Sequence, residues 1–371
     1  MNSQSVEPKV ALIMAGGTGG HVFPALAVAD LLRESAVQVH WLGTAAGIEA
    51  RVVPSADIPL HCIQVQGLRG KGKLGLLTAP WRVVKAIIQA HKVFKQVRPS
   101  VVLGMGGFAS GPGAVAAKLA GVPLVIHEQN AKAGMTNKIS CYLAKRKLAA
   151  FPGAFNTANK ANNDLAKGIE IVGNPVRGAV LKMHAPVQRY SERKGKLNLL
   201  IVGGSLGAAA INDIVPRALQ SIAVSERPNV WHQAGIKNIT QTRALYQSCE
   251  VDAKVSAFIE QMHEAYAWAD LVICRAGALT VSELAIAGVA SILIPFPFAV
   301  DDHQTANGQF LVDVGAAVIV QQHDLSIEKL LSLLGDLKAR DTLLAMAQKA
   351  LSVAELGASK SVANICLEEM L

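Results

Sequence analysis

Aromatic side chains make up only 5% of the 371 residues, too few for the stacking platform on which single-stranded nucleic acid is held. No nucleic-acid partner is expected. The five cysteines, Cys62, Cys141, Cys249, Cys274 and Cys366, are an odd set, far apart and without a C-x-x-C pair. That excludes a disulfide framework and a zinc ribbon, and fits a reduced, cytoplasmic compartment. Long apolar runs are missing too: the longest weakly polar stretch, 101–126, is broken by glycines, Pro112, Lys118 and Pro123, which no bilayer-spanning helix tolerates together. Residues 1–9 are polar, so no signal peptide is expected. Charged residues are sparse at 17%, and acids are outnumbered 27 to 36, for a net charge of +9. This balance suits acidic small molecules, nucleic acid or an anionic membrane surface, and alone does not choose among them.

Hydrophobic residues, at 51%, exclude a disordered chain, and 371 residues exceed the size at which one core keeps growing. Two domains are expected. Val10-Ala11-Leu12-Ile13-Met14 is a wholly apolar run, as in a strand covered on both faces. It leads through Ala15-Gly16-Gly17-Thr18-Gly19-Gly20-His21 into a helical pattern from Pro24 to Leu32. Strand and helix patterns then alternate, with apolar runs at Val37–His40, Val101–Leu103 and Leu124–Ile126, which predicts a parallel sheet covered by helices. At Lys196 to Gly207 the pattern restarts, ending in a second glycine turn, Gly203-Gly204-Ser205-Leu206-Gly207. The fold class is therefore α/β, with two Rossmann-like parallel-sheet domains. Gly173-Asn174-Pro175-Val176-Arg177 reads as the hinge. The expected division is 1–176 and 177–353, with a last helix, 354–371, packing back on the first domain.

Three glycine loops compete as anion sites. Gly16 to His21 opens a helix, where unpaired N–H groups and the helix dipole favour phosphate or carboxylate; the alternative is a plain tight turn. The same holds for Gly203 to Gly207, with the Ser205 hydroxyl added. Gly104-Met105-Gly106-Gly107-Phe108-Ala109 matches the dinucleotide pattern G-x-G-x-x-A, with Glu128 where a ribose-binding acid would stand. Its continuation, Ser110-Gly111-Pro112-Gly113, is expected to break up the first helical turn and so to argue against NAD. Gly67 to Lys73 has Leu74 where a P-loop needs Ser or Thr. His127-Glu128 lacks the second histidine of H-E-x-x-H, and the adjacent acids Asp301 and Asp302 diverge, so no metal is expected. His21, at the mouth of its turn, is either a capping or core histidine or a catalytic one. Glu283, expected in the first turn of a helix from about Val281, either favours the helix dipole or accepts sugar hydroxyls.

Lys71, Lys73, Leu74, Leu76, Leu77, Trp81, Arg82 and Lys85 mix basic and apolar residues. One reading is a loop entering a packed helix at Pro80, with Val84, Ile87 and Ile88 facing the core. That leaves Leu74, Leu76, Leu77 and Trp81 without buried partners, and a basic rim around exposed apolar residues fits an anionic lipid surface.

Taken in order, Gly16–His21, Gly106-Gly107-Phe108, His127-Glu128-Gln129-Asn130, Gly173–Arg177, Gly203-Gly204-Ser205, Arg275–Glu283 and Asp301-Asp302-His303-Gln304 resemble one bacterial family. It comprises the peptidoglycan glycosyltransferases that move N-acetylglucosamine (GlcNAc) from UDP-GlcNAc to undecaprenyl-diphospho-N-acetylmuramyl (MurNAc) pentapeptide, lipid I, giving lipid II. The resemblance implies a glycosyltransferase-B fold with domains facing across a cleft, and inverting transfer to the MurNAc C4 hydroxyl without metal or cofactor. It implies that Thr18, Gly19, Gly20, Asn130, Arg177, Ser205, Ile259, Ala278, Leu279, Thr280, Val281, Ser282, Glu283 and Gln304 contact UDP-GlcNAc. His21 and Glu128 would be catalytic, with His21 first in line as the base. Gly16, Gly17, Gly106 and Gly107 would face the acceptor diphosphate, and Leu74, Leu76, Leu77 and Trp81 the membrane. The first domain would hold the acceptor and the second UDP-GlcNAc. A peripheral position on the inner face of the cytoplasmic membrane is also implied, with partners among proteins of wall synthesis and division. An NAD-dependent oxidoreductase and a non-catalytic nucleotide-sugar or lipid-diphosphate binder are the alternatives.

Overall fold

The computed structural model describes residues 8–65, 79–156, 165–191, 193–204 and 207–371. The chain forms two compact units, residues 1–177 with 356–371, and residues 178–355. In the first, β1 (Val10–Met14), β2 (Gln38–Gly43), β3 (Leu60–Cys62), β4 (Val101–Gly104), β5 (Leu124–Glu128), β6 (Arg146–Ala149) and β7 (Ile169–Ile171) form one sheet. Its order is β3-β2-β1-β4-β5-β6-β7, and every pairing is parallel. Both faces are covered, so side chains of alternating parity enter two separate cores. Ala11, Ile13, Val39, Trp41, Val101, Leu103 and Val125 pack with Val22, Ala25, Val28, Ala29 and Leu32 of the helix Gly19–Glu34. Val362, Ile365 and Cys366 of the helix Ala358–Glu368 join that same core. Leu12, Met14, Leu42, Val102, Leu124 and Ile126 face the other way, onto Ala86, Ala90, Phe94, Ala114 and Ala117.

The second unit repeats the plan. Strands β8 (Asn198–Val202), β9 (Asn229–Gln233), β10 (Lys254–Ser256), β11 (Leu271–Cys274), β12 (Ala290–Leu293) and β13 (Ala317–Ile319) run parallel. Their order is β10-β9-β8-β11-β12-β13. In both sheets the strand order reverses beside the first strand, between β1 and β4 and between β8 and β11. At such a switch point the loops leaving neighbouring strands diverge to opposite faces and open a crevice for ligand.

One local expectation, and one of the two readings of the segment around Pro80, need correction. The helix Ser110–Ala120 begins at Ser110, with Gly111, Pro112 and Gly113 inside its first turn. Proline is tolerated there because its missing N–H would have had no helical partner. Gly113 is needed for packing, since a Cβ would fall 2.1 Å from the Met14 sulfur. The helix Ala79–Val97 presents Ala86, Ala90 and Phe94 to the core, whereas Val84 and Ile88 are 46% and 53% exposed. Small alanines allow close approach to the helix Ser110–Ala120, against which this helix packs, and that sets the rotation of the bulkier residues outward.

Candidate functional site

The first switch point gathers three loops, from the C-terminal ends of β1, β4 and β5. Beneath the β1 turn lies Glu49, fully buried. Its carboxylate accepts hydrogen bonds from the Gly17 N–H (3.0 Å), the Thr44 N–H (3.0 Å) and the Thr44 hydroxyl (2.7 Å). A Cβ at Gly16 would stand 2.5 Å from that carboxylate, so glycine is required for the close approach. The turn is thus fixed from below, while Thr18 is exposed and Gly19 and Gly20 open the helix half-exposed. Their N–H groups have no carbonyl four residues back, which leaves a concentration of donors at the helix start. Arg177 lies over the Phe23 ring of this helix at 5.1 Å, adding a cation near its first turn.

The β4 loop packs directly on the β1 turn. Gly107, at φ +89°, lies so close that a Cβ would meet the Gly16 carbonyl oxygen at 2.4 Å, and a Cβ on Gly106 would meet the His21 ring at 3.1 Å. Ser110 secures the pair with its hydroxyl, whose one hydrogen is shared between the Met14 and Gly106 carbonyls at 2.9 and 2.7 Å.

From β5 comes a chain of contacts behind His21. Its Nδ1 lies 2.8 Å from Gln129 Oε1. Gln129 Nε2 lies 3.2 Å from both Nδ1 and the carbonyl oxygen of His127. His127 Nε2 in turn lies 2.9 Å from the Gly173 carbonyl. His127 is completely buried, and the loss of hydration pushes its imidazole down from 6.5 to about 4, so the ring is neutral at pH 7.

Glu128 is placed differently from a free base. Buried to 1% exposure, it accepts at Oε1 from the Asn130 backbone and side-chain N–H groups, 2.9 and 3.1 Å. Its Oε2 accepts from the Gly134 N–H and the Asn137 amide, 3.1 and 2.9 Å. The carboxylate therefore ties residues 128–137 into one loop and positions Asn130.

The second unit builds its own switch point. Gly203 and Gly204 leave β8, with the Gly203 N–H donating to the Gln233 carbonyl (3.0 Å); Ser205 lies outside the described residues. From β11 the turn Arg275–Gly277 enters the helix Ala278–Ala287, with Gly277 as its N-cap. The helix starts three residues earlier than its sequence pattern suggests, which puts Glu283 in the second turn. A dipole-favouring role loses its footing there. Glu283 is 3% exposed and accepts a hydrogen bond from the Tyr266 hydroxyl at 3.1 Å. Tyr266 belongs to the helix Met262–Trp268, which follows the loop holding the buried Ile259. Thr280 and Ser282 are half-buried, Ala278 and Leu279 nearly buried, and Val281 faces the core.

Arg275 binds the next loop in place, donating to the Ile294 and Pro295 carbonyls (3.2 and 3.0 Å) and to Gln322 (2.6 Å). In that loop Gln304 accepts from the Phe296 N–H at 2.9 Å. Asp302 accepts from the Thr305 hydroxyl at 2.7 Å. The β8, β11 and β12 loops thus present glycine backbone, a helix start, hydroxyls and a carboxylate along one sheet edge.

Of the remaining expected residues, Leu74, Leu76 and Leu77 lie outside the described residues. Trp81 is 79% exposed. Glu49, His127 and Gln129, which carry no expected role in the sequence, are the buried side chains that hold the β1 turn and His21. Gln129 could have been noticed as a polar side chain between two others at the end of an apolar strand, whereas nothing in the sequence near Glu49 announces its contact with the β1 turn.

Two parallel α/β units, each with a glycine turn at the switch point of its sheet, are the architecture of the glycosyltransferase-B fold. The Glycosyltransferase family 28 N-terminal domain matches residues 11–148, and its C-terminal domain matches residues 198–364; the chain belongs to glycosyltransferase family 28. It is 52% identical over 359 residues to the Cellvibrio japonicus (strain Ueda107) UDP-N-acetylglucosamine--N-acetylmuramyl-(pentapeptide) pyrophosphoryl-undecaprenol N-acetylglucosamine transferase, covering 96% of this chain and 97% of that one. The Marinobacter nauticus protein of the same name is 51% identical, with 96% of each chain covered. Among solved structures, Acinetobacter baumannii MurG is 42% identical, with a TM-score of 0.83 over 97% of this chain and 100% of that one.

Proposed function

We propose that this chain transfers GlcNAc from UDP-GlcNAc to the C4 hydroxyl of MurNAc in lipid I, forming lipid II, by an inverting, metal-independent reaction. The observation that carries this reading is the presence of two switch-point sites of different chemistry, on a chain about half identical over its full length to transferases of that name. The second unit offers the elements a nucleotide sugar needs: helix starts for the diphosphate, Glu283 for the ribose hydroxyls, the Ile259 loop for the base, and Gln304 for the sugar. Ser205, Ala278, Leu279, Thr280, Val281 and Ser282 complete that donor set, with Val281 acting through the packing of its helix. The first unit offers the Gly16-Gly17 and Gly106-Gly107 loops for the acceptor diphosphate and His21 for the acceptor hydroxyl. Thr18, Gly19, Gly20, Asn130 and Arg177 add contacts to the donor.

In this mechanism His21 takes the proton from the C4 hydroxyl as its oxygen attacks the anomeric carbon of GlcNAc. UDP departs from the opposite face, which inverts the configuration. Helix N-termini and hydroxyl donors stabilise the charge that develops on the diphosphate. Glu128 supports the site by holding Asn130 and its loop.

Incubation of the protein with UDP-GlcNAc and a soluble lipid I analogue should yield the GlcNAc–MurNAc disaccharide and UDP in equal amounts. Binding of UDP-GlcNAc without disaccharide would reduce the protein to a binder. Glu283→Ala is expected to raise KM for UDP-GlcNAc about 10- to 100-fold, the value of one or two hydrogen bonds to a charged group. An unchanged KM would remove Glu283 from the donor site.

The same proposal places the first unit on the anionic inner face of the cytoplasmic membrane. Among the described residues no helix is long and apolar enough to cross a membrane. The helix Ala79–Val97 instead carries Trp81, Val84 and Ile88 along an exposed face, with Arg82, Lys85, Lys92 and Lys95 also exposed. Apolar residues at this spacing amid basic ones suit an interfacial contact. Leu74, Leu76 and Leu77 extend the contact in this proposal, and proteins of wall synthesis and division are its further partners. Trp81→Glu with Ile88→Glu should weaken binding to phosphatidylglycerol vesicles at least about tenfold, since each buried apolar side chain contributes about 1.5–3 kcal/mol. Equal binding by the double variant would move the lipid contact to another surface.

A further inference from the structure

Hydrogen-bond logic fixes the protons behind His21. The Gly173 carbonyl can only accept, so His127 Nε2 carries the hydrogen across the 2.9 Å contact. The neutral His127 ring then has a bare lone pair at Nδ1. That lone pair, 3.2 Å from Gln129 Nε2, demands a donor, and the His127 carbonyl at the same distance, which also accepts from Asn137 Nδ2 at 3.1 Å, can only accept. The Gln129 amide is therefore oriented with its NH2 toward His127 and its oxygen toward His21. An amide oxygen can only accept, so His21 Nδ1 must donate across 2.8 Å.

We infer that Gln129 is a positioning residue: held by His127 on the Gly173 carbonyl, it fixes His21 as the Nδ1–H tautomer and leaves Nε2 as the proton-accepting atom. The inference rests on the reading of His21 as the base and deepens it. A neutral imidazole side chain without a partner favours the opposite tautomer, with hydrogen on Nε2, and in that form the wrong nitrogen is basic. The amide differs from a carboxylate in bringing no charge. It sets the ring's tautomer and orientation without an anion to stabilise imidazolium, and the relay can be buried, with Gln129 at 1% and His127 at 0% exposure, without desolvating an ion. The β4 loop adds the steric half of the restraint, because Gly106 leaves room for the imidazole edge, where a Cβ would stand 3.1 Å from the ring.

The test begins with the unaltered protein, labelled with 15N-histidine and with His21 assigned by loss of its signals in His21→Gln. Above pH 8, His21 should show a protonated Nδ1 and an unprotonated Nε2; the reverse pattern overturns the inference. In Gln129→Leu the pattern should shift toward Nε2–H, and kcat should fall at least about tenfold, up to the about 10²–10⁴-fold that a general base supplies. Affinity for UDP-GlcNAc should be retained, reporting an intact fold. A double-mutant cycle separates positioning from support of the fold. In the His21→Ala background, Gln129→Leu should have no further effect on kcat, and an equal loss in both backgrounds would show action by another route. Wild-type turnover by His21→Ala alone would instead defeat the base assignment, while the 15N pattern would still decide the tautomer.

Discussion

His21→Ala is expected to lower kcat about 10²–10⁴-fold, the usual share of a general base, while leaving the dissociation constant for UDP-GlcNAc unchanged. Titration calorimetry with the donor alone and steady-state rates with a soluble lipid I analogue separate the two quantities. The split follows from the division of work between the units. The proposed nucleotide contacts at Glu283 and Gln304 belong to the second sheet, whereas His21 leaves the first turn of the helix beyond β1 and touches Gln129. A loss of donor affinity equal to the loss of rate would make His21 a binding group. An undiminished rate would require another base, and Glu128 would fill that role only by surrendering hydrogen bonds from Asn130, Gly134 and Asn137. For that reason Glu128→Gln should act differently from His21→Ala, disturbing the 128–137 loop as well as turnover.

Much of this architecture was legible in the sequence because its signals are local. The apolar run Val10–Met14 followed by glycines specifies a buried strand and a tight turn into a helix, and the repeat at Asn198–Gly204 specifies a second sheet. Positions at the ends of such runs are active-site candidates by topology alone, which is why His21 and Glu283 stand out from the pattern, whereas Asn130 and Gln304 follow only from the family resemblance. What stayed hidden depends on contacts distant in sequence. Glu49 is 32 residues from the Gly17 N–H that it holds, and Gln129 is 108 residues from His21. Of the two readings of the helix Ala79–Val97, the one with Val84 and Ile88 in the core fails because the tight helix–helix contact selects Ala86 and Ala90 instead. The first turn of the helix Ser110–Ala120 was misjudged for a related reason. Glycine and proline weaken an isolated helix, but here close packing against Met14 favours Gly113, and Pro112 sits where a helix needs no N–H.

The junction of the two glycine loops is where a single methyl group should do most damage. In Gly107→Ala the new Cβ meets the Gly16 carbonyl oxygen at 2.4 Å and the Gly16 carbon and nitrogen at 2.9 Å, all backbone atoms. Backbone cannot rotate aside as a side-chain tip can, so relief requires the β4 loop and the β1 turn to separate. The residue also holds φ +89°, a region that costs an L-residue about 1–2 kcal/mol. Overpacking adds about 1–3 kcal/mol, for an expected destabilisation of about 2–5 kcal/mol in urea or thermal unfolding. Gly121→Ala is the matched control. Its φ of +68° is also positive, but nothing lies within 4 Å of the added carbon, so a loss of only about 1 kcal/mol and wild-type turnover are expected. Because Gly106 bears on the His21 ring and Gly107 on Gly16, separation of the loops should also disorder the proposed base and the acceptor diphosphate site. Gly107→Ala should therefore lose more than about 100-fold in kcat even under conditions where it remains folded, an expectation set by the rate share of a correctly placed base. A Gly107→Ala protein as stable and as active as the Gly121→Ala control would mean that contact between the loops is dispensable, and the acceptor site would have to be sought away from the β1–β4 switch point.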